Sequence, residues 1–297
     1  MKTARILAIA VGCAAAGCSL ATRVGVQFLY QKAELPATQI IRNLCYASSP
    51  CDGPDNLLDL YLPITRHWPV IVFVPGGGWD SGDKDLRAGG ADVYANVGRY
   101  YAARGIGVAV INYRLQPRVK WHQQVDDVRA AVSWVRARML AYGGQPDRVF
   151  LMGHSAGAHL ASLVALTGTP ELQQSVRGVI AVSGAGLDLA DETTYQLGAD
   201  RRYYATRFQN GDSSEEWKRR ASPARFVSPQ APPFLILYAT GETKALQHQS
   251  QLLHGALEKH GVSSRLVPVP GESHTRIVLA LSHSGKVPSS AILEFVH

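Results

Sequence analysis

The fold of this chain is decided by residues 149–165, VFLMGHSAGAHLASLVA. Residues 149–152 form a short apolar run that predicts a buried strand, and residues 156–165 have the composition of a helix. Between them stands the pentapeptide GHSAG, positions 153–157, which matches G-x-S-x-G. A nucleophile elbow needs this strand–turn–helix setting, because its serine sits in a sharp, strained turn that the flanking glycines permit. We therefore expect Ser155 to project a reactive hydroxyl at the start of a helix; an ordinary N-cap serine is the alternative.

The same alternation of apolar runs and helical periods extends in both directions from this stretch. Short β-rich runs separated by longer helical patterns predict parallel strands joined by crossover helices. The run at 70–74, VIVFV, is apolar throughout, as expected of a strand buried on both faces of a sheet. We predict strands at 58–62, 70–74, 107–113, 149–152, 179–183, 234–238 and 265–269, and helices at 123–141, 156–165, 245–260 and 290–296.

The predicted fold is a mostly parallel α/β sheet with helices on both faces, in one domain at 57–297. Residues 184–233 interrupt the alternation, because they contain clustered aromatic side chains and no strand pattern. A segment of this length between two core strands is usually functional. We interpret it as a small helical insertion over the active site, with a peripheral decoration as the alternative.

The N-terminus predicts an export signal followed by a linker. Residues 1–18 contain Lys2 and Arg5, an uncharged stretch at 6–16, and the ending Ala15-Ala16-Gly17-Cys18. The apolar core is too short for a membrane span but suits a secretory signal. The ending resembles a bacterial lipobox, which predicts lipidation at Cys18, attachment to a membrane and an exported location; plain secretion stays open, as does a weaker second site at Cys13. Residues 19–56 are then a linker and extension.

Charge and cysteine content bound the remaining function classes. The net charge is +7, but lysine and arginine are scattered without a basic run or a recognition motif, so we expect no nucleic-acid partner. Cys45 and Cys51 lie in a loop rich in Ser, Pro and Gly. In an exported protein this pair can close a small disulfide ring, and two unbonded thiols are the alternative.

The partners of Ser155 should follow it in the order acid, then histidine. His274 lies in a predicted turn after the last strand, where an imidazole could reach across the top of the sheet, and we prefer it to His283. Glu242 is the only carboxylate in the loop after the strand 234–238. Its expected task is to orient the imidazole and stabilise the imidazolium; an acid complementing a helix N-terminus is the alternative. Glu272 is a poor rival, since two residues from the histidine its side chain should point away.

A glycine run closes the strand at 70–74. Backbone amides of a run such as Gly76-Gly77-Gly78 can approach a substrate oxyanion closely. We predict an oxyanion hole made by the amides of Gly76, Gly77 and Ala156, with a glycine turn that binds nothing as the alternative. Three neighbours are candidates for lining the substrate pocket: Trp79, Gly78 and His154.

Several motifs in this order resemble one group of enzymes. The stretches LDLYLP (58–63), VPGGGWDSGDK (74–84), YRL (113–115), DDVRAAV (126–132) and GHSAG (153–157) are similar to the carboxylesterase/lipase group of α/β-hydrolases, related to kynurenine formamidases and hormone-sensitive-lipase-like esterases. The resemblance implies an oxyanion loop of the H-G-G-x-W type and a triad mapping onto Ser155, Glu242 and His274. Two departures stand out: Pro75 replaces the usual histidine, which is thought to brace the loop, and Glu242 replaces the usual aspartate.

The sequence thus predicts a serine carboxylesterase that hydrolyses short-chain or small esters through an acyl-enzyme, with a small-molecule ester as substrate. No metal ion or organic cofactor is expected. An amidase or formamidase is the alternative enzyme, suggested by the stretch 76–84. A lipoprotein that keeps the fold as a catalytically weak binding module is the alternative outside enzymes, suggested by Pro75 and Glu242.

Overall fold

The computed structural model describes residues 30–47, 51 and 53–297, and is built around one eight-stranded sheet. The predicted signal and Cys18 lie outside the described residues. The strands of the large sheet are β1 (Ile40–Cys45), β2 (Leu57–Tyr61), β3 (Trp68–Val74), β6 (Gly107–Ile111), β7 (Gly144–His154), β8 (Val176–Val182), β9 (Phe234–Ala239) and β10 (Ser264–Val269); β4 (Arg87–Ala88) and β5 (Ala91–Asp92) form a separate small hairpin.

The order of strands in the large sheet is β1-β2-β6-β3-β7-β8-β9-β10. β2 pairs antiparallel with both of its neighbours, and β3 and β6 to β10 pair in parallel. β3 and β7 lie at the centre, where Val72 pairs with Leu151 and both side chains are fully buried. Strands buried on both faces need continuous apolar runs, which is why 70–74 and 149–152 were readable from the sequence.

Helices cover both faces of the sheet. One face carries α2 (Trp121–Tyr142), α3 (Ala156–Thr167) and α8 (Lys244–Lys259), and the other carries α1 (Val93–Ala102), α9 (Ile277–Ala280) and α10 (Val287–Val296). The short α4 (Pro170–Ser175) follows α3. This arrangement confirms the predicted fold class.

The insertion at 184–233 is helical, as its lack of a strand pattern indicated. It contains α5 (Glu192–Gln196), α6 (Arg201–Phe208), α7 (Glu216–Arg220) and a 3-10 turn at Pro223–Phe226. Its aromatic side chains pack against Trp79, which lies in the loop at 75–81 that follows β3 and is called the glycine loop below. Within the part of the chain that the structure describes, no helix is both long and apolar enough to cross a bilayer.

The structure departs from the sequence-based expectation at the start of the domain. We placed the boundary at Leu57, but β1 belongs to the large sheet and Tyr30 to Leu35 contribute to the core beside α1. An edge strand with the exposed pair Arg42 and Asn43 at its centre lacks the apolar signal of a buried strand. Helix α1 was also missed. The structure contains a disulfide between Cys45 and Cys51, the pairing that the sequence left open.

An ion pair with a buried carboxylate joins α2 to the loop after β6. Asp127 accepts hydrogen bonds from the Arg114 backbone amide (2.9 Å) and from its guanidinium (2.7 Å), and the Asp127 side chain is only 6% exposed. Its neighbour Asp126 is 61% exposed and pairs with Arg129 along the helix. Adjacent carboxylates of one helix thus have opposite environments.

We expect Asp127→Ala to lower the free energy of unfolding by about 2–3 kcal/mol, because the guanidinium and the backbone amide of Arg114 both lose their hydrogen-bond acceptor. Asp126→Ala is the control and should cost less than about 0.5 kcal/mol, as for an exposed pair. Urea denaturation of both variants measures the difference. Equal losses would show that the 126–132 motif has no special structural role.

Candidate active site

Ser155 lies in a nucleophile elbow between β7 and α3. Its φ of 55° is positive, which is strained for a residue with a side chain, and the turn is held by a 2.9 Å hydrogen bond from its amide to the Val182 carbonyl. Both flanking residues must be glycine, because backbone atoms of neighbouring segments lie too close to leave room for a Cβ atom. A Cβ at Gly153 would lie 2.3 Å from the Gly157 carbonyl carbon, and one at Gly157 would lie 2.1 Å from the Val74 carbonyl oxygen. The serine is thereby placed at the N-terminus of a twelve-residue helix.

His274 is brought to the serine from the other end of the chain. Its Nε2 lies 2.9 Å from Ser155 Oγ, and its Nδ1 lies 3.0 Å from Glu242 Oε2. A carboxylate can only accept, so Nδ1 carries the proton and Nε2 accepts the serine hydroxyl proton. The imidazole is 28% exposed, so a substrate in solution can reach it.

Glu242 lies in the loop after β9, where the sequence placed it. Its side chain is fully buried, and its second oxygen, Oε1, has no hydrogen-bond partner among the described residues. The loop is tied to the histidine loop by the Gly241 amide, which donates to the Glu272 carbonyl over 3.0 Å. The structure therefore brings together Ser155, His274 and Glu242 as a linear chain of hydrogen bonds.

The two rejected candidates lie away from this chain. Glu272 is buried but faces Arg276 and Lys286, at 3.6 and 3.7 Å. The His283 ring hydrogen-bonds the adjacent Ser284 carbonyl. Among the residues that the structure describes, no three His, Cys, Asp or Glu side chains are grouped as ligands for a metal ion.

His154 positions the histidine loop. Its Nε2 donates to the His274 carbonyl over 2.8 Å, while its Nδ1 is buried without a partner among the described residues. Burial, with a smaller contribution from His274, lowers the pKa of His154 to about 3, so the ring stays neutral. We expected this residue to line the pocket; it instead fixes one catalytic loop against the other.

The glycine loop requires a correction to the predicted oxyanion hole. The Gly76 amide donates to the Tyr94 hydroxyl over 3.2 Å, so it is already engaged. The amides of Gly77, Gly78 and Ala156 have no hydrogen-bond partner within 30–47, 51 and 53–297. A Cβ at Gly76 would lie 3.3 Å from Ser155 Cβ, which places this loop directly against the nucleophile.

Two buried tyrosines that we had not predicted as part of the site brace the loop. Tyr113 donates to the Pro75 carbonyl over 3.1 Å, and Tyr94 accepts from the Gly76 amide, so both ends of one peptide group are fixed. Burial raises the pKa of Tyr94 to about 12, which keeps its hydroxyl protonated. These contacts hold the loop at Pro75, the position for which the resemblance implied a bracing histidine.

Trp79 is also placed differently from our expectation. The residue is completely buried, and its indole nitrogen donates to His159 Nδ1 over 3.2 Å. Burial lowers the pKa of His159 to about 4, so this acceptor is neutral. The ring packs at 4.8 Å from Phe208 of the insertion. Trp79 therefore joins the glycine loop to the insertion and offers no accessible surface to a ligand.

Comparison with known proteins gives one family match and a group of esterase relatives. The family model BD-FAE matches residues 58–257. The chain is 30% identical over 257 residues to esterase LipQ of Mycobacterium tuberculosis, covering 82% of this chain and 59% of LipQ. It is 30% identical over 272 residues to a probable isoprenylcysteine alpha-carbonyl methylesterase of Oryza sativa subsp. japonica, covering 86% of this chain and 62% of that protein. The chain spans less than two thirds of these relatives' length.

Solved structures show the same fold. A truncated carbohydrate esterase from gut microbiota superposes with a TM-score of 0.73 and 23% identity, over 89% of this chain and 98% of that one. An inhibited esterase B of Lactobacillus rhamnosis superposes with a TM-score of 0.71 and 25% identity, over 93% and 92% of the two chains.

Tyr94→Phe should slow the labelling of Ser155 by a fluorophosphonate roughly tenfold, because it leaves the Gly76 amide without its acceptor and frees the glycine loop. The matched control is Tyr101→Phe in the same helix, which loses a buried 2.8 Å bond to the Leu281 carbonyl far from the loop. We expect a similar loss of stability in both variants and slower labelling in the first alone. Identical labelling rates would contradict the bracing role.

Proposed function

Because the chain belongs to the BD-FAE family and has the α/β-hydrolase fold, we propose that it is a serine carboxylesterase acting on small or short-chain esters through a Ser-His-Glu triad. The observation that carries this proposal is the continuous chain of contacts from Ser155 Oγ through His274 to Glu242, at 2.9 and 3.0 Å. The esterase names of the relatives support the reaction class, and the methylesterase name supports a small ester group.

The first half of the reaction forms an acyl-enzyme. Ser155 Oγ attacks the carbonyl carbon of the ester while His274 Nε2 takes the hydroxyl proton. The carbonyl oxygen becomes an oxyanion, which the free amides of Gly77 and Ala156 are placed to stabilise, with Gly78 as a third candidate donor. The tetrahedral intermediate collapses by breaking the bond to the alkoxy oxygen. His274 returns its proton to that oxygen, and the alcohol leaves.

The second half hydrolyses the acyl-enzyme. A water molecule attacks the acyl carbon while His274 takes one of its protons, and collapse of the second intermediate releases the carboxylic acid and restores the Ser155 hydroxyl. Glu242 does not take the proton. It holds the imidazole in the tautomer with Nδ1 protonated and stabilises the imidazolium that forms in each half.

Ser155→Ala should abolish hydrolysis of p-nitrophenyl acetate and butyrate and should prevent fluorophosphonate labelling, because among the described residues Ser155 supplies the hydroxyl that contacts His274 Nε2. Ser162→Ala is the control, since it removes a buried hydroxyl of the same helix that has no partner among the described residues. N-formylkynurenine in the same panel separates an esterase from a formamidase. Esterase activity retained by Ser155→Ala would refute the proposal.

Substitutions of Glu242 test its role apart from folding. Glu242→Gln can no longer fix the tautomer and should lower kcat by about a thousandfold or more. Glu242→Asp keeps the charge but shortens the arm, which stretches the 3.0 Å contact with His274. We expect it to lie between the wild type and the glutamine variant in kcat. Equal activity of wild type and glutamine variant would remove Glu242 from the mechanism.

We also propose that the protein is exported and anchored to a bacterial membrane by lipid on Cys18. The lipobox-like ending supports the anchor, and the Cys45–Cys51 disulfide supports an oxidising compartment. In a bacterial host, Cys18→Ala should abolish incorporation of labelled palmitate and move esterase activity from the membrane to the soluble fraction. Cys13→Ala is the control for the second potential site. Labelling that persists in Cys18→Ala would refute the assignment.

A further inference from the structure

We propose that Arg207, in the insertion, is a positioning residue that holds the glycine loop in the conformation that stabilises the oxyanion. The proposal rests on the esterase activity proposed above and extends it to a side chain outside the triad and its glycine amides. Arg207 is the last residue but one of α6, and its side chain reaches out of the insertion to the loop that follows β3.

The guanidinium makes two contacts with the loop. Its Nε donates to the Gly78 carbonyl over 2.8 Å, and its Nη2 forms an ion pair with Asp80. The Gly78 carbonyl belongs to the peptide group next to the one that carries the free Gly78 amide. A donor fixed on that carbonyl therefore limits rotation of the backbone that aims the neighbouring amides at an oxyanion.

The carbonyls on either side of Gly78 in this loop are held by other partners. The Ser81 amide and hydroxyl both bond the Gly77 carbonyl, at 3.0 and 2.6 Å. The Gln116 amide and the Gln124 side chain bond the Trp79 carbonyl, at 3.0 and 2.7 Å. Arg207 supplies the bond to the Gly78 carbonyl, which lies between these two, and this bond is contributed by the insertion.

The arginine is itself held in place. It lies over the Tyr203 ring at 3.6 Å, its backbone carbonyl accepts a 3.1 Å bond from the Gln116 side chain, and only 13% of its side chain is exposed. An exposed ion pair contributes little to stability, and it cannot fix the position of a backbone group, because its side chains move freely. A stacked and largely buried guanidinium has lost that freedom, so its bond to the carbonyl has a defined direction.

The same helix provides a matched control. Arg201 pairs with Glu192 and lies over the Tyr195 ring at 4.1 Å, so it shares the ion pair and the aromatic contact of Arg207. Among the described residues, its side-chain contacts are with Glu192 and Tyr195 and do not include the glycine loop. Comparing the two arginines separates stabilisation of the insertion from positioning of the loop.

Three variants test the proposal. Arg207→Met removes both contacts with the loop, and Arg201→Met removes the corresponding surface pair. Arg207→Gln loses the ion pair but can restore the bond to Gly78, because the amide nitrogen of glutamine stands at the position of the arginine Nε. For each variant we would measure kcat and KM on p-nitrophenyl butyrate, the Ki of a trifluoromethyl ketone, whose adduct with Ser155 carries an oxyanion, and Tm.

We expect Arg207→Met to lower kcat by about 10- to 100-fold, with KM changed little, since displaced donors weaken the transition state more than the ground state. The Ki of the ketone should rise by the same factor as kcat/KM falls. Arg207→Gln should recover most of the loss, and Arg201→Met should keep wild-type kcat.

Two results would overturn the proposal. One is a kcat for Arg207→Met no lower than that of Arg201→Met. The other is a loss in Arg207→Met that follows Tm alone, with the ratio of Ki to KM unchanged. A wild type without Ser155-dependent hydrolysis would refute the proposed function, and this proposal with it; an active wild type with either result refutes this proposal alone.

Discussion

The active site depends on how closely α3 approaches the end of β3. A Cβ at Gly157 would lie 2.1 Å from the Val74 carbonyl oxygen, so only glycine permits this contact. The approach sets Ser155 in its positive φ and brings the glycine loop that continues from β3 against the nucleophile. A larger residue would push the helix from the sheet and separate the serine from its oxyanion donors.

Around this contact, the groups of the proposed triad and of the glycine loop are held by partners that take no part in the proposed proton transfer. Neutral His154 secures the His274 loop through its carbonyl, and the Gly241 amide joins the two loops that carry the acid and the base. Tyr94 fixes the start of the glycine loop. Electrostatic catalysis relies on dipoles that are oriented before the substrate arrives, and these buried contacts supply that order. The insertion takes part in the same task through Trp79 and Arg207.

Features whose local pattern has one structural meaning were predicted correctly from the sequence. Continuous apolar runs revealed the central strands, and the strand–turn–helix context gave meaning to GHSAG. Chain order and loop position selected Glu242 and His274, which the structure brings together with Ser155. Features whose role depends on a distant partner were not predicted correctly. We predicted the Gly76 amide as an oxyanion donor, but it donates to the Tyr94 hydroxyl. We predicted that Trp79 lines the substrate pocket, but its ring is buried against Phe208 of the insertion.

The sequence by itself determined the α/β fold, the elbow serine and the order of its partners, because these follow from periodicity and short-range glycine geometry. Tertiary structure alone decided which amides have no partner among the described residues, that Tyr94 and Tyr113 hold the Pro75–Gly76 peptide group, and that Arg207 reaches the Gly78 carbonyl. The physical reason is that each of these hydrogen bonds joins residues far apart in the chain, as the sequence separation of 129 between Gly78 and Arg207 illustrates. No spacing rule in the sequence predicts a contact between residues so far apart.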